Sequence, residues 1–165
     1  MRDMHPRAAE LIAELRLQPH PEGGFYREIF RSRTPVTPTD GRGERASLTT
    51  IHFLLTSETV SRWHRVSSDE VWNLYEGGPL ELIELDVAAR QLTRHVLGAL
   101  DGGASTPVHV VAAGQWQAAR SLGDYALMGC TVGPGFDFAD FELMSPHGSD
   151  AAVVRAEWPH LALFL

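Results

Sequence analysis

Apolar positions recur first at helical spacing and then at the spacing of β-strands. Ala8, Leu11, Ile12 and Leu15 fall three or four residues apart, and Pro6 suits a first helical turn, which predicts a helix over 6–17. The segment Pro19-His-Pro-Glu-Gly-Gly24 ends it. Beyond that point short runs of β-forming residues occupy 25–30, 47–55, 59–65, 70–75, 80–85, 91–97, 107–112, 115–119 and 125–132. Turn residues separate them, among them Glu76-Gly-Gly-Pro79, Gly102-Gly103, Ala113-Gly114 and Gly133-Pro-Gly135. Many short strands at this density predict a sandwich or barrel rather than alternating β and α units. A second helix is expected over 149–158, closed by Pro159. The polar stretch 34–45 is the longest Gly/Pro-rich loop and the segment expected to be mobile. With no repeat or linker, a single domain over 1–165 is expected.

Composition narrows the function classes. The chain has 165 residues, a length that buries a real core, and its hydrophobic share of 44% is ordinary. Acidic residues outnumber basic ones by 21 to 14, for a formal charge of −7. That balance argues against nucleic acid or an anionic membrane as partner, since both need clustered Lys and Arg. The lone cysteine, Cys130, cannot form an internal disulfide and reads as a buried small hydrophobe. The first residues contain no apolar targeting core, so a cytoplasmic location is the expectation.

Chemistry concentrates in Ser61-Arg-Trp-His64-Arg-Val-Ser-Ser-Asp-Glu70-Val-Trp72. One strand ends near His64 and the next opens at Glu70, and a hairpin of this length can bring both side chains to one face. An imidazole beside a carboxylate suits a divalent metal or proton transfer. Alternation from Glu70 puts Trp72 on the same face, giving an aromatic pocket wall. Asp69, one residue out of phase, is expected to point outward and cap the turn.

These residues resemble the first motif of the cupin superfamily, which has a leading glycine, a His-x-His pair, a glutamate and a closing glycine. His64, Glu70 and Gly77 match, whereas Glu58 and Val66 stand where the leading glycine and the second histidine belong. The second cupin motif resembles Ala112-Ala-Gly-Gln-Trp-Gln117, so its histidine has become Gln117. The segments His20-Pro-Glu-Gly-Gly-Phe-Tyr-Arg27, Ser68-Asp-Glu-Val-Trp72 and Thr131-Val-Gly-Pro-Gly-Phe-Asp-Phe-Ala-Asp-Phe-Glu-Leu143 are similar to one branch, the cupin-5 (DUF985) group. The resemblance implies an all-β fold with minor α: a cupin barrel (a double-stranded β-helix of jelly-roll type) over about 22–145 with a helix at each end. It also implies a divalent metal (Mn, Fe, Ni or Zn) held by His64, Glu70 and Gln117, weakly, because two imidazoles are missing. His52 is a conceivable replacement ligand, although a surface or core position is expected for it.

Two further readings accompany the metal. The chain also resembles cupin-fold epimerases acting on nucleotide-linked keto-deoxysugars, which implies His64 as base, Asp140 as its orienting partner and Tyr26 beside the sugar. The tyrosine those enzymes use as acid has no counterpart in Thr131-Val-Gly-Pro134. Alternatively the protein is a non-catalytic module that binds a sugar or nucleobase through Tyr26, Trp72 and Trp116, with Glu70 and Gln117 bonding polar edges. Glu22 is expected to border the pocket from outside. His95 and His109 are read as surface residues without a role. Pairing through an edge strand in related proteins implies a homodimer.

Overall fold

A computed structural model describes residues 4–100, 103 and 105–165. A first helix, α1 (Pro6–Glu14), buries Ala8 and Leu11 and is followed by thirteen strands. They are β1 (Gln18–Pro19), β2 (Phe25–Arg31), β3 (Pro35–Val36), β4 (Arg45–Ala46), β5 (Thr49–Thr56), β6 (Val60–Val66), β7 (Asp69–Gly77), β8 (Leu80–Asp86), β9 (Gln91–Leu97), β10 (Val108–Val111), β11 (Trp116–Ser121), β12 (Tyr125–Gly133) and β13 (Phe141–Leu143). A second helix, α2 (Ser149–Glu157), and a 3₁₀ turn (Pro159–Phe164) close the chain. Both expected helices and all nine expected strands are present. The four additional strands have only two or three residues each, too short for an alternation pattern to reveal.

The long strands form two antiparallel sheets, a six-stranded one ordered β1-β2-β5-β12-β7-β10 and a five-stranded one ordered β13-β6-β11-β8-β9. They face each other as a sandwich of the jelly-roll kind. Between them lies a core that includes Phe53, Leu55, Trp72, Leu80, Leu82, Met128 and Cys130. A second core forms on the outer face of the five-stranded sheet. There Trp63, Ile83, Leu85, Trp116 and Ala118 pack against Val154, Leu161 and Phe164 of the C-terminal segment. The near-continuous burial of Leu80, Glu81, Leu82 and Ile83 in β8 follows, because that strand is covered on both faces.

The polar loop expected to be mobile is anchored. Its ends pair as β3 and β4, Arg45 makes a two-pronged bond to Asp140 (2.8 and 2.8 Å), and Arg42 reaches Asp140 at 3.3 Å and Ser68 at 2.9 Å. Guanidinium–carboxylate bonds of this geometry are the strong ones, and they override the flexibility implied by Gly and Pro content. Among the described residues no helix is long and apolar enough to cross a membrane.

Candidate functional site

His64 lies on β6 and Glu70 on β7, and the two strands belong to different sheets. The short turn between them is therefore a crossover from one sheet to the other rather than a hairpin within one. The two side chains meet across the interior, where both line a cavity of about 430 Å³. Tyr26, Phe53, Trp72, Phe136, Phe138 and Phe141 supply aromatic wall, and Val66, standing where a second cupin histidine would be, lines it too. Phe136, Phe138 and Phe141 pack edge to face with centroids 5.0 to 6.0 Å apart, a cluster at the pocket that the sequence reading passed over.

Glu22 is part of this site, which corrects the expectation that it borders the pocket from outside. It is 6% exposed. The Ser61 hydroxyl donates to its Oε1 at 2.7 Å, and its Oε2 lies 3.3 Å from His64 Nε2. Two glycines make this approach feasible. Gly23 has φ +112° and Gly24 φ +69°, and a Cβ on them would sit 2.1 Å from the Val60 carbonyl oxygen and 2.7 Å from that of Leu54. Only glycine tolerates that backbone at that distance from β5 and β6. His20, expected with Glu22 to border the pocket from outside, also lines the cavity; its Nδ1 accepts the Glu22 N–H at 3.2 Å.

The tautomer of His64 follows from its partners. Its Nδ1 lies 2.7 Å from the Arg62 carbonyl oxygen, which only accepts, so Nδ1 carries the proton and Nε2 offers a lone pair toward Glu22. Burial lowers the His64 pKa, and it lowers that of His20 to about 4. Burial pushes Glu22 up to about 8 and Glu70 up to about 7, the latter moderated by His64. Near neutral pH the floor of the pocket thus combines an uncharged imidazole with a protonated Glu22 and a Glu70 poised at its midpoint.

Gln117 is fully buried behind Glu70. Its Nε2 donates to Glu70 Oε2 at 2.7 Å, and its Oε1 accepts the Trp72 indole N–H at 3.0 Å. Cys130 is buried, as read from the sequence, and the structure puts it beside Glu70 on the pocket wall.

Two expected site residues lie elsewhere. Asp140 does not orient His64: its carboxylate is bound by Arg45 and Arg42, which hold its pKa down, and the Arg62 carbonyl takes the orienting role. Trp116 faces the outer core, where it donates to Asp150 at 3.0 Å and lies under the Arg65 guanidinium at 4.4 Å. Neighbours on a strand point to opposite faces, so Gln117 and Trp116 cannot both enter the pocket. His52 likewise faces away from Phe53, edge-on to Tyr75. Asp69 points outward as expected and accepts the Ala113 N–H at 2.9 Å.

Comparison with known proteins places the fold. A family profile described as "Cupin superfamily (DUF985)" matches residues 9–144. The chain belongs to this family. A hypothetical protein from Leishmania major is similar over 95% of this cupin and 96% of that chain, with 32% identity and a TM-score of 0.80. A protein from Shewanella oneidensis is similar over 94% of this cupin and 92% of its own length, with 33% identity and a TM-score of 0.80. A variant of oxalate decarboxylase from Bacillus subtilis shares the fold alone, at 13% identity and a TM-score of 0.58, over 86% of this cupin and 34% of that chain. No curated protein matches the sequence.

Proposed function

We propose that this cupin binds a small, carbonyl-bearing molecule in the barrel cavity and moves a proton on it by metal-independent acid–base chemistry. The observation that carries the reading is the His64 imidazole, tautomerically fixed by the Arg62 carbonyl, facing the same cavity as Glu22 and Glu70. His64 Nε2 is the base: it takes the proton beside the carbonyl, and the C–H electrons move into an enolate. A carboxyl group kept neutral by burial donates to the enolate oxygen, and Glu70 is suited to this. Return of the proton to the same carbon gives exchange with solvent, and its delivery to the neighbouring carbon of an enediol gives an isomer. A neutral keto edge fits a floor of uncharged imidazole and buried carboxyl groups, and at the rim the Arg31 guanidinium is already paired with Glu28.

The donor set fits a cupin metal centre poorly. Gln117 Oε1 is taken by Trp72, its amide is bound to Glu70, and Val66 replaces an imidazole, so only His64 and Glu70 remain of the cupin ligand set, and the further carboxyl at the site, Glu22, is held neutral by burial. Three strong protein ligands are the norm for a metal that does chemistry. The reading as a passive binding module loses two of its contacts, since Trp116 and Gln117 do not line the cavity.

Solvent exchange tests the proposal. Chelator-treated protein in D₂O, incubated with a panel of keto sugars and keto acids, is expected to wash deuterium into one of them. His64→Gln should reduce the rate about 10²–10⁴-fold, the span of a general base. Ligand-induced thermal stabilisation without exchange would favour a binding module, and exchange that requires added metal would overturn the metal-independent mechanism.

A further inference from the structure

The two sheets meet again on the side away from the His64 strand, where β9 ends one sheet and β10 ends the other. Three ligand-type side chains converge there. Glu84 comes from β8, His95 from β9 and His109 from β10, and one donor atom of each lies within 4.8 Å of the other two. Glu84 Oε1 is 2.6 Å from His109 Nε2 and 2.9 Å from His95 Nε2. The imidazoles stack with centroids 3.6 Å apart and planes 24° apart, so both rings present Nε2 in the same direction.

Ordinary hydrogen bonding does not use this arrangement up. The His109 contact is a bond in geometry, whereas His95 Nε2 is shielded from solvent and meets the same carboxylate oxygen at 2.9 Å without the alignment of a hydrogen bond. Two imidazole nitrogens crowded onto one carboxylate oxygen, one of them poorly aligned for a hydrogen bond, need an explanation, and an ion is one. Bonds of about 2.0–2.2 Å at tetrahedral angles put the donors of one metal roughly 3.3–3.6 Å apart, so the Glu84 oxygen has to draw back from the two ring nitrogens by about 0.4–1 Å. The side chains are 16%, 28% and 23% exposed for Glu84, His95 and His109, so an ion can enter and a water can complete its shell.

We propose that Glu84, His95 and His109 form a transition-metal site of the zinc, nickel or copper class that ties the outer strands of the two sheets together. Two imidazoles and one carboxylate on a half-exposed seam suit these ions better than magnesium or calcium, which prefer all-oxygen shells. The site is separate from the pocket. Glu84 is the strand partner of Gln117, and His109 that of Trp72, so each lies one strand further out than the pair that backs Glu70.

Titration calorimetry of the chelator-treated full chain with zinc sulfate should show one equivalent bound, with a rise in Tm. His95→Ala and His109→Ala should each weaken binding about tenfold or more, and His64→Ala should leave it unchanged. Absence of bound zinc, binding that survives both seam substitutions, or binding lost with His64→Ala would overturn the site. Should either seam variant fail to fold, copper(II) paramagnetic resonance on the His64→Ala protein decides. Coupling to two imidazole nitrogens supports the site, and its absence refutes it.

Discussion

The Trp72 indole N–H donates to Gln117 Oε1 at 3.0 Å from the opposite sheet, and the same amide donates to Glu70 at 2.7 Å. One side chain thereby orients the aromatic wall and the carboxyl group of the pocket together. Gln117→Leu would leave a buried indole N–H and a buried carboxyl oxygen unpaired, at about 1–3 kcal/mol each. The expected outcome is a lower urea midpoint with an unchanged slope. The amide bond holds the Glu70 pKa below the value burial alone would set, so the variant should also titrate Glu70 higher, readable by carboxyl NMR.

Stability should fall as pH rises through neutrality. Glu22 and Glu70 titrate near 8 and 7 in the fold against a usual carboxylate value near 4.5, so the folded state holds extra protons between those limits. His20, at about 4 in the fold against an ordinary 6.5, and His64, shifted the same way, do the reverse below 6.5. Between about pH 4.5 and 6.5 His20 opposes one carboxyl and His64 acts in the same direction as His20. Above 6.5 the unfolded histidines are neutral while the buried carboxyls still hold protons, so each carboxyl lowers stability by up to about 1.4 kcal/mol per pH unit until it ionises. Chemical denaturation from pH 6 to 8.5 should show that decline, and Glu22→Gln should remove part of it.

Much of this organisation is legible in the sequence. Alternation located the nine long strands and put Glu70 and Trp72 on one face, and the short turn read as a hairpin brought His64 to Glu70, although that turn crosses between sheets. Alternation also rules out Trp116 once Gln117 is inside, a consequence the sequence reading left undrawn. Glu22 was harder: its entry depends on how close the Gly23-Gly24 turn passes to Val60 and Leu54, a tertiary contact without a local pattern. Glu84, His95 and His109 come from three strands whose meeting depends on sheet order, and single-strand periodicity carries no such information.

Asp140 should prove a tether for the loop between β2 and β5 rather than a partner of the base. Its ion pairs hold its pKa down, so their contribution is present above the usual aspartate range and is lost as pH falls through the folded value. Asp140→Asn weakens the clasp on Arg45 and Arg42 and should lower Tm by on the order of a few degrees. Histidine NMR should find the His64 ring titrating as in the wild type, because its Nδ1 is held by the Arg62 carbonyl. A His64 pKa that falls clearly in this variant would restore Asp140 to the catalytic machinery.

The two tryptophans once assigned to the pocket should separate cleanly in fluorescence. Trp72 is buried against the cavity and Trp116 is buried against the C-terminal segment, with the five-stranded sheet between them. A keto ligand found by thermal-shift screening should change the emission of the wild type and of Trp116→Phe, and leave that of Trp72→Phe nearly unchanged. Trp116→Ala should instead act on stability, losing about 3–5 kcal/mol as a large aromatic leaves a packed layer. Its ligand affinity should stay within about twofold, since additivity holds for sites that share no partner. A Trp116 substitution that weakened ligand binding with stability intact would mean that the ligand sits outside the barrel, and the assignment of the cavity would fail with it.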